Sequence, residues 1–186
     1  MKSLDASIRQ FDFLLIDGYN IIHDWDNLHE LAKISLEMAR DKLVSLVANY
    51  QGFRDIQAIV VFDAHKIRHG HEKIERHGNL SLVYTAEFET ADAYIERAVR
   101  DITSAAKPYR VAVATSDNIE QVIIMAKGAL RLSARDFLAE IEAAQAEIRG
   151  KILTRPIKSN QLSDNLDAPT AEWLEKMRLN RSSHAP

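Results

Sequence analysis

Asp17, Asp92 and Asp117 are the residues in this chain whose type and placement best suit chemistry. Asp17 closes the apolar run Phe13 to Ile16, Asp117 follows the run Arg110 to Ala114, and Asp92 falls in the first turn of a helical pattern that follows Leu80 to Tyr84. Carboxylates gathered without cationic partners raise one another's pKa, so a shared site calls for a hard divalent cation. With no cysteine in the chain, a metal must sit on oxygen or imidazole, and the carboxylate oxygens of these three acids suit Mg²⁺ or Mn²⁺. Such an ion, alone or as one of a pair, supports hydrolysis of a phosphodiester without a covalent intermediate. Each acid also has a plainer use: Asp92 and Asp117 suit helix N-termini, and Asp17 before Gly18 suits a turn. Asn20 could orient a water or a carboxylate, or cap a helix. Ser116, Asp63, Glu89 and Glu120 stand behind these residues, where they could steady them.

The elements that must position these groups alternate along the chain. Strands are expected at residues 13–16, 56–62, 80–84, 110–114 and 129–132, from short apolar runs ending in polar or turn residues. Between them, a long amphipathic helix is expected from about Leu31 to Tyr50, closed by Gly52, and a second after Thr90 as N-cap, with Ile95, Ala98, Val99 and Ile102 buried. A third is expected over 119–127 and a fourth from the Ser133 cap to about Arg149. Strands alternating with helices predict an α/β fold of three layers, a central parallel sheet of about five strands with helices on both faces. Right-handed crossovers put every strand-to-helix junction on one edge, where ligands of open parallel sheets bind. The three acids therefore face the same way.

Residues 64–79 lack periodicity and carry His65, His69, His71 and His77 together with Lys66, Arg68, Lys73 and Arg76; they are read as a mobile basic loop. His65 and His69 are four residues apart, but the segment has no helical pattern to bring them onto one face, so the loop is a better RNA phosphate contact than a zinc site. Arg131 and Arg135, with Lys127, could extend that footprint. Local patches would have to supply the attraction, because the whole chain has a net charge of −3. Tyr19 and Trp25 could stack on bases or pack in the core. Residues 151–186 read as a polar tail carrying a small amphipathic helix with Trp173, Leu174 and Met177 on one face, set apart from a domain over 11–150. The polar start and the lack of a long apolar run point to a cytoplasmic protein without a membrane span.

Leu14-Leu15-Ile16-Asp17-Gly18-Tyr19-Asn20-Ile21-Ile22 resembles the opening strand of YacP-type NYN-domain proteins, relatives of the PIN nucleases. Further blocks follow in that family's order: Val60 to His65, Glu89-Thr90-Ala91-Asp92, Ala114 to Asp117 with Glu120-Gln121, and Gly128 to Arg131 with Ser133-Ala134-Arg135. The likeness covers roughly residues 13–150. It implies a PIN-like fold, a divalent-metal site and endoribonuclease activity, with Asp17, Asp92 and Asp117 as catalytic acids and Asn20 beside them. One characterised branch of the family cuts mRNA in the ribosomal A site, so the resemblance also implies the ribosome as a partner. A non-catalytic RNA- or ribosome-binding module of the same fold is the competing expectation. A haloacid-dehalogenase-like phosphatase fits poorly, since position 19 is Tyr where a second Asp is needed, and no Walker-type glycine loop is present.

Overall fold

Short runs of branched and aromatic residues, too brief for helices, pair into one sheet in the computed structural model, which describes residues 11–63, 72–105, 109–117 and 128–154. The strands are β1 (Phe13–Asp17), β2 (Gln57–Phe62), β3 (Lys73–His77), β4 (Leu80–Tyr84), β5 (Val111–Thr115) and β6 (Leu130–Ser133). Their order across the sheet is β3-β4-β2-β1-β5-β6, parallel throughout except for the antiparallel edge strand β3. The described helices are α1 (Gly18–Asp24), α2 (Asp26–Ile34), α3 (Leu36–Arg54), α4 (Ala91–Thr103) and α5 (Ala134–Thr154). The chain divides into residues 1–149 and 150–186, and the sheet lies in the first.

Strand alternation sorts the core into two halves. Leu14, Ile16, Val60, Phe62, Ala112 and Ala114 pack with α1, α2, α3 and α5, while Leu15, Val61, Val83, Val111 and Val113 pack with Ala91, Ile95 and Val99 of α4. A strand covered on both sides has no solvent face to keep polar, which is why β1 and β5 read as unbroken apolar runs. The expected three-layer α/β architecture is therefore present. The helix expected over 119–127 and the one near residues 170–178 lie outside the described residues.

Three local expectations are corrected. The 64–79 segment does not remain a loop throughout: residues 73–77 form β3, joined to β4 by a tight turn in which Gly78 takes φ +62°. Gly78-Asn79 is a hairpin signal, but Lys-Ile-Glu-Arg-His has no apolar face to advertise a strand, because an outer edge strand buries almost nothing. The single helix expected over 31–50 is two, broken at Ser35, whose hydroxyl accepts from Met38 N–H at 3.2 Å and caps α3. Gly52 does not end α3. The helix runs on to Arg54, which reaches Glu147 at 3.3 Å and Glu140 at 3.7 Å, and Asp55 closes it in the left-handed region at φ 54°.

Gly18 is fixed by packing. A Cβ placed there would lie 2.3 Å from the Phe62 ring. That ring is fully buried between Tyr84, stacked at 5.7 Å, and Tyr19, edge-on at 5.2 Å, so it has nowhere to retreat. Gly18→Ala should accordingly destabilise the fold by about 1–3 kcal/mol through overpacking, despite alanine's better helix propensity. Urea unfolding measures this, and an unchanged midpoint would contradict the packing.

Candidate active site

The sheet order places a reversal between β1 and β5. From β1 the chain steps outward to β2 and β4, then α4 carries it back across the opposite face to β5 on the other side of β1. In open α/β sheets the crevice beyond the carboxyl ends of the two diverging strands is where ligands sit. Asp17 ends β1 there, and Thr115-Ser116-Asp117 leave β5 beside it.

Alternation decides which way Asp17 faces. Asp17 is in phase with Leu15, which belongs to the core half that α4 covers, while Asp63 and Asp117 follow just beyond the carboxyl ends of β2 and β5. Asp92 occupies the first turn of α4, after its N-cap Thr90, whose hydroxyl accepts from Ala93 N–H at 3.2 Å. Four carboxyl groups thus meet electrostatically at one edge. Asp17, only 6% exposed, is pushed from 3.8 to about 6, first by burial and then by the negative charges of Asp92 and Asp63, while the Asn20 N–H bond pulls the other way. Asp92 is also raised, by burial first and then by Asp117, Glu96 and Asp63. Among the described residues, no three His, Asp or Glu side chains are already drawn together into a metal cage.

Polar contacts pin the edge. Asp17 is at once the last residue of β1 and the N-cap of α1, its Oδ1 accepting from Asn20 N–H at 3.0 Å. Asn20 in turn bridges the crevice: its side-chain oxygen accepts from Ser116 N–H at 2.8 Å and also from the Ser116 hydroxyl. Thr115, fully buried, accepts from Asp117 N–H at 3.1 Å.

The structure thus places Asp17, Asp92, Asp117, Asn20, Ser116 and Asp63 at one edge, the acids within electrostatic reach of one another and short of a shared ligand shell. Glu89 is engaged elsewhere, 2.7 Å from Arg97, which also lies 3.6 Å from Glu72. Of the basic residues, Lys73 pairs with Tyr84 at the same sheet edge, its ammonium 2.6 Å from Glu75, and exposed Arg135 lies in the first turn of α5. Arg76, opposite Ser81, and Arg131, opposite Val113, lie further back along their strands. Lys66, Arg68 and Glu120 fall outside the described residues. The base-stacking role considered for Tyr19 and Trp25 is corrected to packing. Tyr19 is 7% exposed and held edge-on by Phe62, while Trp25 is 1% exposed and its indole N–H donates to Ala134 C=O at 2.9 Å. Glu96 went unnoticed in the sequence. Its spacing from Asp92 on one helix face was the available signal.

A largely parallel α/β sheet with acids at its switch point defines a class of domains that bind their ligands on that edge. Comparison with known proteins makes this specific. The model of the YacP-like NYN domain matches residues 14–179, and the chain belongs to that family. It is 41% identical over 141 residues to YacP of Bacillus subtilis (strain 168), covering 76% of this chain and 81% of that protein. The crystal structure of Bacillus subtilis Rae1 (YacP) superposes with a TM-score of 0.66 at 35% identity, over 94% of this chain and 99% of that one. A tryptophan-to-leucine variant of the same protein gives 0.65 at 35% identity, over 89% and 99%. Family membership supports an RNA-directed nuclease role. No described helix is long and apolar enough to cross a membrane.

The raised Asp17 carboxyl has a consequence for stability. A folded-state pKa of about 6 against 3.8 means that the folded chain holds this proton more tightly than the unfolded chain does. Its contribution to stability is full below pH 3.8 and is lost as the pH rises through 6, leaving a penalty of up to about 3 kcal/mol at neutral pH. Asp17→Asn keeps a competent cap and removes the charge. In chelator-treated protein this variant should raise the melting temperature at pH 7.5 and have little effect at pH 4; equal effects at both would refute the electrostatic origin.

Proposed function

We propose that the chain is a divalent-metal-dependent endoribonuclease that hydrolyses RNA phosphodiester bonds. The observation that carries this reading is the placement of Asp17, Asp92, Asp117 and Asp63 at the β1/β5 crevice, where burial first and neighbouring carboxylates second raise Asp17 and Asp92, an arrangement that a cation would relieve. The donor set is all oxygen, which fits Mg²⁺ or Mn²⁺ and excludes thiolate-seeking metals. Asp17, Asp92 and Asp117 would hold the ion, closing on it as it enters. When bound, it supplies a polarised water and a counter-charge for the phosphate.

The chain's own residues would do the rest. With its side-chain oxygen taken by Ser116, Asn20 has its amide NH₂ left to direct toward a water or a phosphate oxygen. Lys73 and Arg135, on the same edge, would draw in the RNA backbone that a net-acidic chain otherwise repels. On the family resemblance, the substrate would be mRNA in the cytoplasm and the ribosome would be a partner.

Asp17→Asn and Asp92→Asn should each lower Mn²⁺-dependent cleavage of a labelled RNA by at least about 100-fold, with melting curves that remain cooperative. Chelation should abolish wild-type cleavage and added Mn²⁺ restore it. Undiminished cleavage by both variants would rule the reading out, and a wild type that binds RNA without ever cutting it would leave a non-catalytic binding module in its place.

The ribosomal part has its own test. Wild-type protein should co-sediment with ribosomes, and Lys73→Glu with Arg135→Glu should reduce the bound fraction severalfold at low salt. Equal sedimentation of wild type and a size-matched control protein would remove the ribosome from the account.

A further inference from the structure

The turn between β4 and α4 presents an aromatic ring that folding does not use. Phe88 is 86% exposed, the most exposed of the large apolar side chains in the described residues, and its backbone sits at φ 70°. Both features are unfavourable. A bulky residue in the left-handed region is strained, and a ring in water gives up the burial that phenylalanine ordinarily contributes. Sites where local rules are broken without a folding return are where function is to be sought.

The surrounding turn holds the ring out. On one side, Thr85 is fully buried and its N–H donates to Phe62 C=O at 3.0 Å. Glu89 N–H closes back on Ala86 C=O at 3.1 Å, the Glu89 carboxylate is gripped by Arg97 at 2.7 Å, and Thr90 caps α4 at once afterwards. Phe88 is therefore presented from a braced turn, on the loop that runs from the carboxyl end of β4 into the helix whose first turn bears Asp92.

We propose that Phe88 is a stacking platform for an unpaired base of the RNA strand that enters the carboxylate crevice, and so a substrate-positioning residue; this rests on the ribonuclease reading above. Stacking suits the setting. Glu87 precedes the ring and would repel a phosphate, whereas the face of a base carries no net charge and stacks on any flat aromatic. The preferred substrate would then be single-stranded at this position, because a base within a duplex offers no free face.

The test measures equilibrium binding of fluorescein-labelled oligoadenylate in chelator, where nothing is cut, alongside an abasic oligomer of the same length. Phe88→Ala should weaken oligoadenylate binding about tenfold or more, Phe88→Tyr should retain it, and neither should change binding of the abasic oligomer. Phe88→Gly, which suits the left-handed backbone, should melt at or above the wild-type temperature while losing the same affinity. That pairing separates a ligand contact from a structural role. Oligoadenylate affinity unchanged in Phe88→Ala, or an equal loss on the abasic oligomer, overturns the proposal while leaving the nuclease reading intact. A wild type that binds neither oligomer also overturns the proposal, and the nuclease reading is then decided by the cleavage assay alone.

Discussion

Carboxylates that repel one another at the end of a parallel sheet are the constraint around which this domain is arranged. Asp17 lies almost wholly out of water with Asp92 and Asp63 near enough to be felt, and Asp92 senses Asp117 and Glu96 in turn. Folding alone has no use for such crowding; a sheet edge free of it would be more stable at neutral pH. The arrangement persists because the backbone dictates it. Asp17 ends β1, Asp63 and Asp117 follow just beyond the carboxyl ends of β2 and β5, and the crossover through α4 delivers Asp92 to the same edge.

Much of the nearby packing serves to hold that edge still. Asp17 cannot leave without uncapping α1, and Asn20 ties α1 to the exit of β5 through Ser116. Gly18 lets the Phe62 ring lie against the start of α1, where Tyr19 and Tyr84 complete an aromatic cluster beneath the site. A short polar segment, Asp17 to Asn20, thereby serves as strand end, cap and crevice wall together.

The apolar runs made the parallel strands legible in the sequence, since strands covered on both faces must be apolar throughout. The placement of Asp17, Asp92 and Asp117 followed from the chirality of crossovers. What escaped notice depended on contacts that leave little trace in composition. Edge strand β3 is held by backbone bonds to β4 and buries almost no apolar surface. Ser35 divides one helical pattern into two because its cap competes with the helix at a single residue. Asp63 was legible as an acid that ends its apolar run, as Asp17 ends its own. For Tyr19 and Trp25 the sequence left stacking and packing both open, and their burial decides for packing.

Cation relief of the crowded carboxylates is most directly tested by thermal unfolding of the wild-type chain at pH 7.5 as Mn²⁺ is titrated in, with Asp92→Asn as comparison. The melting temperature of the wild type should climb with Mn²⁺, equivalent to about 2.7 kcal/mol at a hundredfold excess over the dissociation constant, while the variant stays flat. A wild-type melting temperature indifferent to Mn²⁺ and Mg²⁺, or a rise shared equally by Asp92→Asn, would contradict the account.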